Sequence, residues 1–227
     1  MKKYEESYDV RLPIRMPILA RYDGVSFGKY TKKLNKPFDE GLIDAMAEAG
    51  IEICKRISGA KIAYIQSDEI SVLYMYYQRF DSQPAFSNKL QKLNSIPAGI
   101  ASSVITEQSP KFFNGIVNRA FFDGRAWVQP EADVTNYFVH RQKDWIRNSV
   151  QMLARSLFSQ KKIHKKNTSE MQEMIAETGQ NWNDLSHRVK YGQCIIKQGN
   201  DWVVDKEIPL FTLNRNYIEK LLEVEEK

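Results

Sequence analysis

Apolar positions recur along this chain at two periods, and the switches between them mark its elements. Residues 18–22 are short and mostly apolar, bounded by Pro17 and Gly24, which predicts a buried strand. Past the break at Asn35-Lys36-Pro37, apolar residues return at steps of three and four. Leu42, Met46, Ala49, Ile53 and Ile57 fall on one helical face, and Ser58-Gly59 ends it. Residues 61–66 and 70–76 are rich in apolar, β-branched and aromatic types. They flank Ser67-Asp68-Glu69, which predicts a hairpin with acids at or near its tip.

A second helical pattern runs through Phe86, Leu90, Leu93, Ile100 and Val104, with Pro97 expected to kink or interrupt it. Residues 114–128 mix turn signals with short apolar runs, and 126–128 predict a strand. Val134, Phe138, Trp145, Leu153 and Leu157 then mark a long helix. The order βαββ, then αβ, is that of a ferredoxin-like antiparallel sheet with helices on one face, an α+β fold. Beyond it, residues 160–166 form a cationic connector. Ser169 and Gln172 have capping-box spacing for a short helix, which Gly179 ends. Residues 194–197 and 202–205 flank Gly199-Asn200, a hairpin signal, and 217–225 predict a last helix. No Pro/Gly-rich linker divides the chain. The expectation is one compact domain over 1–227, with a core at about 10–160 and a helical and hairpin extension at about 161–227.

Composition narrows the class without naming a function. The 227 residues are 42% hydrophobic and 27% charged, which excludes a disordered chain, a collagen-like chain and a coiled coil. Lys and Arg number 33 against 28 Asp and Glu, a net charge of +5 that by itself does not call for nucleic acid. Cys54 and Cys194 are too few for a disulfide framework or a Cys-based zinc site, and His140, His164 and His187 do not cluster at ligand spacing. The polar start lacks the apolar core of a signal peptide, and no apolar run approaches the roughly 20 residues needed to span a bilayer. A cytoplasmic protein without membrane association is the expectation.

The candidate chemistry lies in Asp23-Gly24 and Asp68-Glu69. Each pair sits at the end of a predicted strand, and a βαββ unit makes those strands neighbours. Two close carboxylates repel, and a hard divalent cation relieves the repulsion. Mg²⁺ is usually held by one or two carboxylates plus phosphate oxygens, the setting of two-metal phosphoryl chemistry. Gly24 lets the backbone approach a metal or phosphate, and the run Gly24, Val25, Ser26, Phe27, Gly28 offers backbone N–H groups to a triphosphate. The alternative at this point is a plain turn at Asp23-Gly24 and a solvated hairpin tip at Asp68-Glu69.

Arg21-Tyr22-Asp23-Gly24-Val25-Ser26-Phe27, followed by Tyr64-Ile65-Gln66-Ser67-Asp68-Glu69-Ile70-Ser71, resembles the tRNA-His guanylyltransferase family. Phe122-Asp123-Gly124-Arg125, Arg141-Gln142-x-Asp144 and the start Thr168-Ser169-Glu170 match further family motifs in order, so the resemblance covers about residues 11–197. It implies a polymerase-type palm and nucleotide addition in the 3′-to-5′ direction. It also implies that Asp23, the Gly24 carbonyl and Asp68 hold two Mg²⁺. The catalytic acids would be Asp23, Asp68 and Glu69, with Glu69 acting around the metals. A nucleoside triphosphate, ATP or GTP, would lie on Asp23, Gly24, Val25, Ser26, Phe27, Gly28, Lys36, Ser67 and Asp68. Lys89, Arg125, Arg141 and Asn148 would meet phosphate or RNA.

One stretch departs from the family pattern. Where members that add G to tRNA-His carry His-Ile-Asn-Asn-Leu-Tyr-Asn, this chain has Ile146-Arg147-Asn148-Ser149-Val150-Gln151-Met152, and Asn148 alone matches. That is similar to the guanylyltransferase-like branch, which restores missing 5′ nucleotides on truncated tRNA against the opposite strand as template. The resemblance implies two in-line steps: ATP or GTP activates the RNA 5′-phosphate, and the 3′-hydroxyl of an incoming nucleotide then displaces the nucleoside monophosphate. It implies tRNA and nucleoside triphosphates as partners and a homotetramer built as a dimer of dimers. The alternatives are G addition at the −1 position of tRNA-His, a nucleotidyl cyclase, and a non-catalytic RNA-binding palm. The connector at Lys161, Lys162, Lys165 and Lys166 is a candidate RNA-facing surface.

Overall fold

The computed structural model describes residues 2–78 and 82–223. In chain order the helices and strands are α1 (Lys2–Glu6), β1 (Ile18–Gly24), α2 (Phe27–Tyr30), α3 (Glu40–Arg56), β2 (Ala60–Gln66), β3 (Glu69–Tyr74), α4 (Leu90–Gln108), β4 (Phe122–Val128) and α5 (Glu131–Leu157). There follow α6 (Gln160–Ile163), α7 (Thr168–Glu177), α8 (His187–Tyr191), β5 (Gln193–Gln198), β6 (Asp201–Asp205) and α9 (Asn216–Glu219). Among the described residues no helix is long and apolar enough to cross a membrane.

The strands form one antiparallel sheet in the order β4-β1-β3-β2-β5-β6. The first four strands have the ferredoxin-like order, and the hairpin of the extension continues the sheet at the β2 edge. The expected helices on one face occur on both. Side chains alternate along a strand. Ile18, Ala20 and Tyr22 of β1 therefore join Ile53 of α3 and Leu93 of α4 in one core, while Leu19 joins Val134 and Phe138 of α5 in another. Leu153 and Ala154, near the C-terminal end of α5, pack with Ile175 and Trp182 in a third cluster.

Several local readings are corrected. The second helix begins at Leu90, because Phe86, Ser87 and Asn88 all have positive φ. Pro97 neither breaks nor ends it. Proline leaves the carbonyl four residues earlier without its helical donor. That carbonyl is Leu93, and it accepts instead from the Tyr22 hydroxyl at 3.0 Å. The fourth strand is longer than expected, because Gly124 lets α4 lie directly on it: a Cβ there would meet the Asn94 carbonyl oxygen at 2.2 Å. The capping box of α7 is Asn167 with Glu170, not Ser169 with Gln172. Asn167 Oδ1 accepts from the Glu170 N–H at 3.0 Å, and Glu170 accepts from the Asn167 N–H at 2.8 Å. The last helix is the short α9, and Glu225 lies outside the described residues.

Candidate active site

β2 and β3 are joined by a two-residue turn, since Gln66 pairs with Glu69. Ser67 holds the left-handed conformation the turn requires, at φ 49°. Beside it, the Gly24 N–H donates to the Asp68 carbonyl at 3.1 Å, so the end of β1 is fastened to the turn. A Cβ at Gly24 would strike the Phe27 ring at 2.2 Å, which fixes this position as glycine. Asp23 is the cross-strand partner of Glu69 on one side and of Asp123 on the other, so three acids stand in a row on one face.

These acids have different neighbours. Glu69 is buried, and its carboxylate takes a two-pronged grip from Arg141 of α5, through Nε at 2.8 Å and through Nη2. It also accepts from Gln66 at 3.1 Å and Ser71 at 3.0 Å. Burial works against the Arg141 charge, but hydrogen bonding and attraction from Glu69 more than offset it and raise its pKa. Asp123 pairs with Arg125 at 3.1 Å. Among the described residues Asp23 and Asp68 have no salt-bridge partner at all. Burial pushes both carboxyls above the ordinary carboxylate range, and like charges add to it: Glu69 and Asp123 for Asp23, Asp23 and Glu69 for Asp68. Arg21 and Arg125 offset part of the rise at Asp23, and hydrogen bonds from Ser67 and the backbone part of that at Asp68.

Among the described residues no three or more His, Cys, Asp or Glu side chains form a metal-binding group. The donor set is smaller: two crowded carboxylates without a salt-bridge partner among the described residues, with the backbone of Gly24 beside them. That set fits a Mg²⁺ ion that completes its shell with substrate phosphate oxygens, the usual arrangement for this ion.

A polar cleft of about 450 Å³ opens over the pair, lined by Asp23, Ser67, Asp68, Arg141, Asn148 and Arg155 among others. It continues into a narrower, mostly apolar slot of about 90 Å³, several times the space one water needs. The slot runs between Lys36-Pro37-Phe38, α3 and β5, and it shares Gln66, Ser67, Trp145 and Met152 with the cleft.

The other sequence-predicted residues divide accordingly. Ser67 and Asp68 lie in the cleft wall, and Lys36 lines the slot and is exposed. Val25 donates its N–H to the Phe121 carbonyl at 2.8 Å, so that group is committed. Phe27 is buried and stacks on Tyr30 at 4.7 Å. Ser26 has φ 57°, and a Cβ at Gly28 would meet nothing within 4 Å, so open space lies over this backbone. Arg141 and Asn148 face the cleft from α5, while Arg125 is exposed on β4 beside Asp123. Lys89 is not brought to the cleft. It precedes α4, on the other face of the sheet from α5, and pairs with Asp9 at 3.0 Å.

Sequence reasoning missed Arg155, Trp145, Asp39 and Gln193. The first two had a signal: Arg141, Trp145, Asn148, Met152 and Arg155 are spaced by three and four, one face of a helix. Asp39 caps α3 by accepting from the Leu42 N–H at 3.0 Å, and Gln193 opens β5. Asp39 carried an N-cap signal for the helix but none for the slot, and Gln193 carried none, because it reaches the slot through long-range strand pairing.

A palm-type sheet with paired carboxylates at its strand ends, below a cleft with cationic walls, defines a nucleotidyltransferase. Residues 1–130 match the sequence model of the tRNAHis guanylyltransferase family, and the chain belongs to that family. A bacterial tRNA(His) guanylyltransferase-like protein in complex with ATP superimposes with a TM-score of 0.93 at 40% identity, covering 99% of this chain and 97% of the other. One in complex with GTP gives 0.86 at 38% identity, covering 98% and 96%. An uncharacterised protein of Acanthamoeba polyphaga mimivirus is 26% identical over 98% of this chain and 86% of its own length. A probable tRNA(His) guanylyltransferase of Drosophila melanogaster is 26% identical over 87% and 72%.

Proposed function

We propose that this chain is a Mg²⁺-dependent nucleotidyltransferase that adds nucleotides in the 3′-to-5′ direction to the 5′ end of truncated tRNA, templated by the opposite strand. The observation that carries the reading is the Asp23–Asp68 pair: two crowded carboxylates with no salt-bridge partner among the described residues, open to a cleft whose other wall is basic.

The chemistry is two displacements at phosphorus. An oxygen of the RNA 5′-phosphate attacks the α-phosphorus of ATP or GTP, and pyrophosphate leaves. The 3′-hydroxyl of an incoming nucleoside triphosphate then attacks the RNA 5′-phosphorus, and the nucleoside monophosphate leaves. Mg²⁺ held by Asp23, Asp68 and the Gly24 carbonyl would supply positive charge to the phosphate oxygens and acidify the attacking hydroxyl. Glu69 acts as a positioning residue: its hold on Arg141 fixes the hairpin to α5 and so sets the width of the cleft. The backbone from Ser26 to Gly28 and Lys36 border the triphosphate. Asn148, Arg141 and Arg155 face the phosphates of nucleotide or RNA from α5, and the apolar slot takes the nucleobase. Exposed Lys161, Lys162, Lys165 and Lys166 continue the basic surface beyond α5 toward the RNA backbone. The assembly implied is a homotetramer acting in the cytoplasm, and sedimentation velocity measures its size.

The test is extension of a tRNA lacking its first nucleotide, with ATP, Mg²⁺ and all four nucleoside triphosphates. Template-matched addition supports the proposal. Addition confined to the −1 position of intact tRNA-His replaces it with the G-addition reading, and cyclic nucleotide formed without RNA replaces it with a cyclase. RNA binding with no addition leaves a non-catalytic module.

A further inference from the structure

The alternation of β4 begins ahead of the strand itself. Ala120 and Phe122 are buried, while Val117, Arg119, Phe121, Asp123 and Arg125 are exposed. The N–H groups of Asn118, Ala120 and Phe122 donate to the hydroxyls of Ser109, Thr106 and Ser102 at 2.8, 3.0 and 3.0 Å. Alternate residues are thus pinned along α4 and its C-terminal end, and those between them form one outward strip. The sheet ends at β4, but these hydroxyls occupy the free donors at its N-terminal end, which leaves little there for an added peptide strand.

Scattered apolar residues on a surface carry no message. Phe121, 63% exposed, differs in its place. The Val25 N–H donates to the Phe121 carbonyl at 2.8 Å, so the pairing of β1 with β4 continues past Gly24 and Phe122 and sets exposed Val25 across from Phe121. Two positions along, the same pairing sets Asp23 across from Asp123. Residues facing the same way along a strand are about 7 Å apart. The aromatic surface therefore stands within one nucleotide's reach of the reaction acids. On its other side is Arg119, exposed and without an ion-pair partner among the described residues. Residues 108–122 contain no acid.

We propose that this strip binds the unpaired 3′-side strand at the end of the RNA stem, with a base stacked on Phe121 and a phosphate on Arg119. The inference rests on the tRNA-repair reading above and adds the surface that holds the template strand. A stem that has lost its first 5′ nucleotide presents a 5′-phosphate and, opposite it, unpaired bases. Bringing that phosphate to Asp23 and Asp68 brings the unpaired strand within reach of Phe121. An exposed ring beside a free cation is the chemistry that holds single strands. Every base has an aromatic face, so stacking there does not restrict the template's sequence.

The experiment measures binding to the full chain of two RNA hairpins with a 5′-monophosphate, with Mg²⁺ and without nucleoside triphosphates. One has a short unpaired 3′ strand and the other a blunt end. The unmodified protein should bind the first about tenfold tighter. Phe121→Ala should remove most of that preference without weakening the blunt hairpin, and Phe121→Trp should keep it. An unpaired strand of abasic nucleotides should lose the same advantage, since it keeps the phosphates but not the bases. Arg119→Ala should weaken the first hairpin and flatten its salt dependence. Equal affinity for the two hairpins in the unmodified protein overturns the proposal, and so does a preference that survives Phe121→Ala. A Phe121→Ala variant that changes sedimentation and keeps the preference makes the strip a contact between copies of this chain instead. If neither hairpin binds, the RNA reading itself fails, a different result from two hairpins bound equally.

Discussion

The two faces of the sheet start from the same strands and end as opposites. Under α3 and α4, β1 contributes Ile18, Ala20 and Tyr22 to a dry core with Ile70, Val72 and Tyr74. On the face toward α5, the intervening residues are Leu19, Arg21 and Asp23. Leu19 packs with Leu73 and Phe138, but the row then turns polar as it reaches the strand ends. One face therefore stays apolar to the edge of the sheet, and the other changes within a few residues from core to charge. A strand sends alternate residues to opposite faces, so the reactive end could be built without opening the core behind it. The site's electrostatic strain is thereby confined to one layer.

Substitutions that act on one face only put this division to the test. The largest effect is expected from Asp68→Ala or Asp23→Ala, which should lower nucleotide addition by about 10³-fold or more while the chain stays folded. A rate within tenfold of the unmodified protein would remove these acids from the reaction. Next in size is Arg141→Ala. It takes the two-pronged cation from the buried Glu69 carboxylate, leaving it Arg21 at 3.9 Å, and should cost about 3–5 kcal/mol in denaturant unfolding. Replacing both partners with leucine should recover much of that loss. On the face under α3 and α4, Tyr22→Phe strands the Leu93 carbonyl that Pro97 has already deprived of its helical donor, and it also removes the contact with the buried Tyr74 hydroxyl at 3.2 Å. It should cost about 1–3 kcal/mol with little change in nucleotide affinity, and adding Pro97→Ala should restore the part owed to the Leu93 carbonyl. A Tyr22→Phe variant as stable as its parent would refute the proline account.

The smallest effect has a sign of its own. Asp68 has a folded-state pKa raised above its unfolded value, so the folded state holds the proton more tightly. Its ionised form opposes folding at neutral pH, and that opposition is relieved as pH falls through the raised pKa. Asp68→Asn should therefore raise the Tm by about 1–3 °C at pH 7 without divalent cations, with the gain shrinking as the solution is acidified. A destabilised Asp68→Asn at pH 7 would contradict the crowding described here.

Much of the architecture followed from local pattern. Strand 18–22, the α3 face and the hairpin around Ser67-Asp68 are short-range regularities, and the βαββ order alone places Asp23 beside the turn. What stayed hidden depends on distant partners. Glu69 and Arg141 were each singled out, yet their mutual grip required knowing that α5 lies over β3. The continuity of α4 through Pro97 depended on a hydroxyl from a strand 71 residues away. Lys89 reads as a free cation in the chain, but folding delivers it to Asp9. The placement of helices on both faces was equally invisible, since an apolar stripe says that a helix is covered and not by which side of the sheet.

The pairing of β5 with β2 has a consequence for synthesis on the ribosome. Gln193 and Val189 complete the wall of the slot, yet Asp39 and Met46 on the same slot leave the exit tunnel some 150 residues earlier. At about 5–20 residues per second, the nascent chain carries its paired acids for many seconds before the strand beside them arrives. During that interval the acids can meet cations, but the slot lacks the wall that β5 supplies. The slot is thus closed late, when the growing polypeptide lays its final hairpin against an edge made near the beginning.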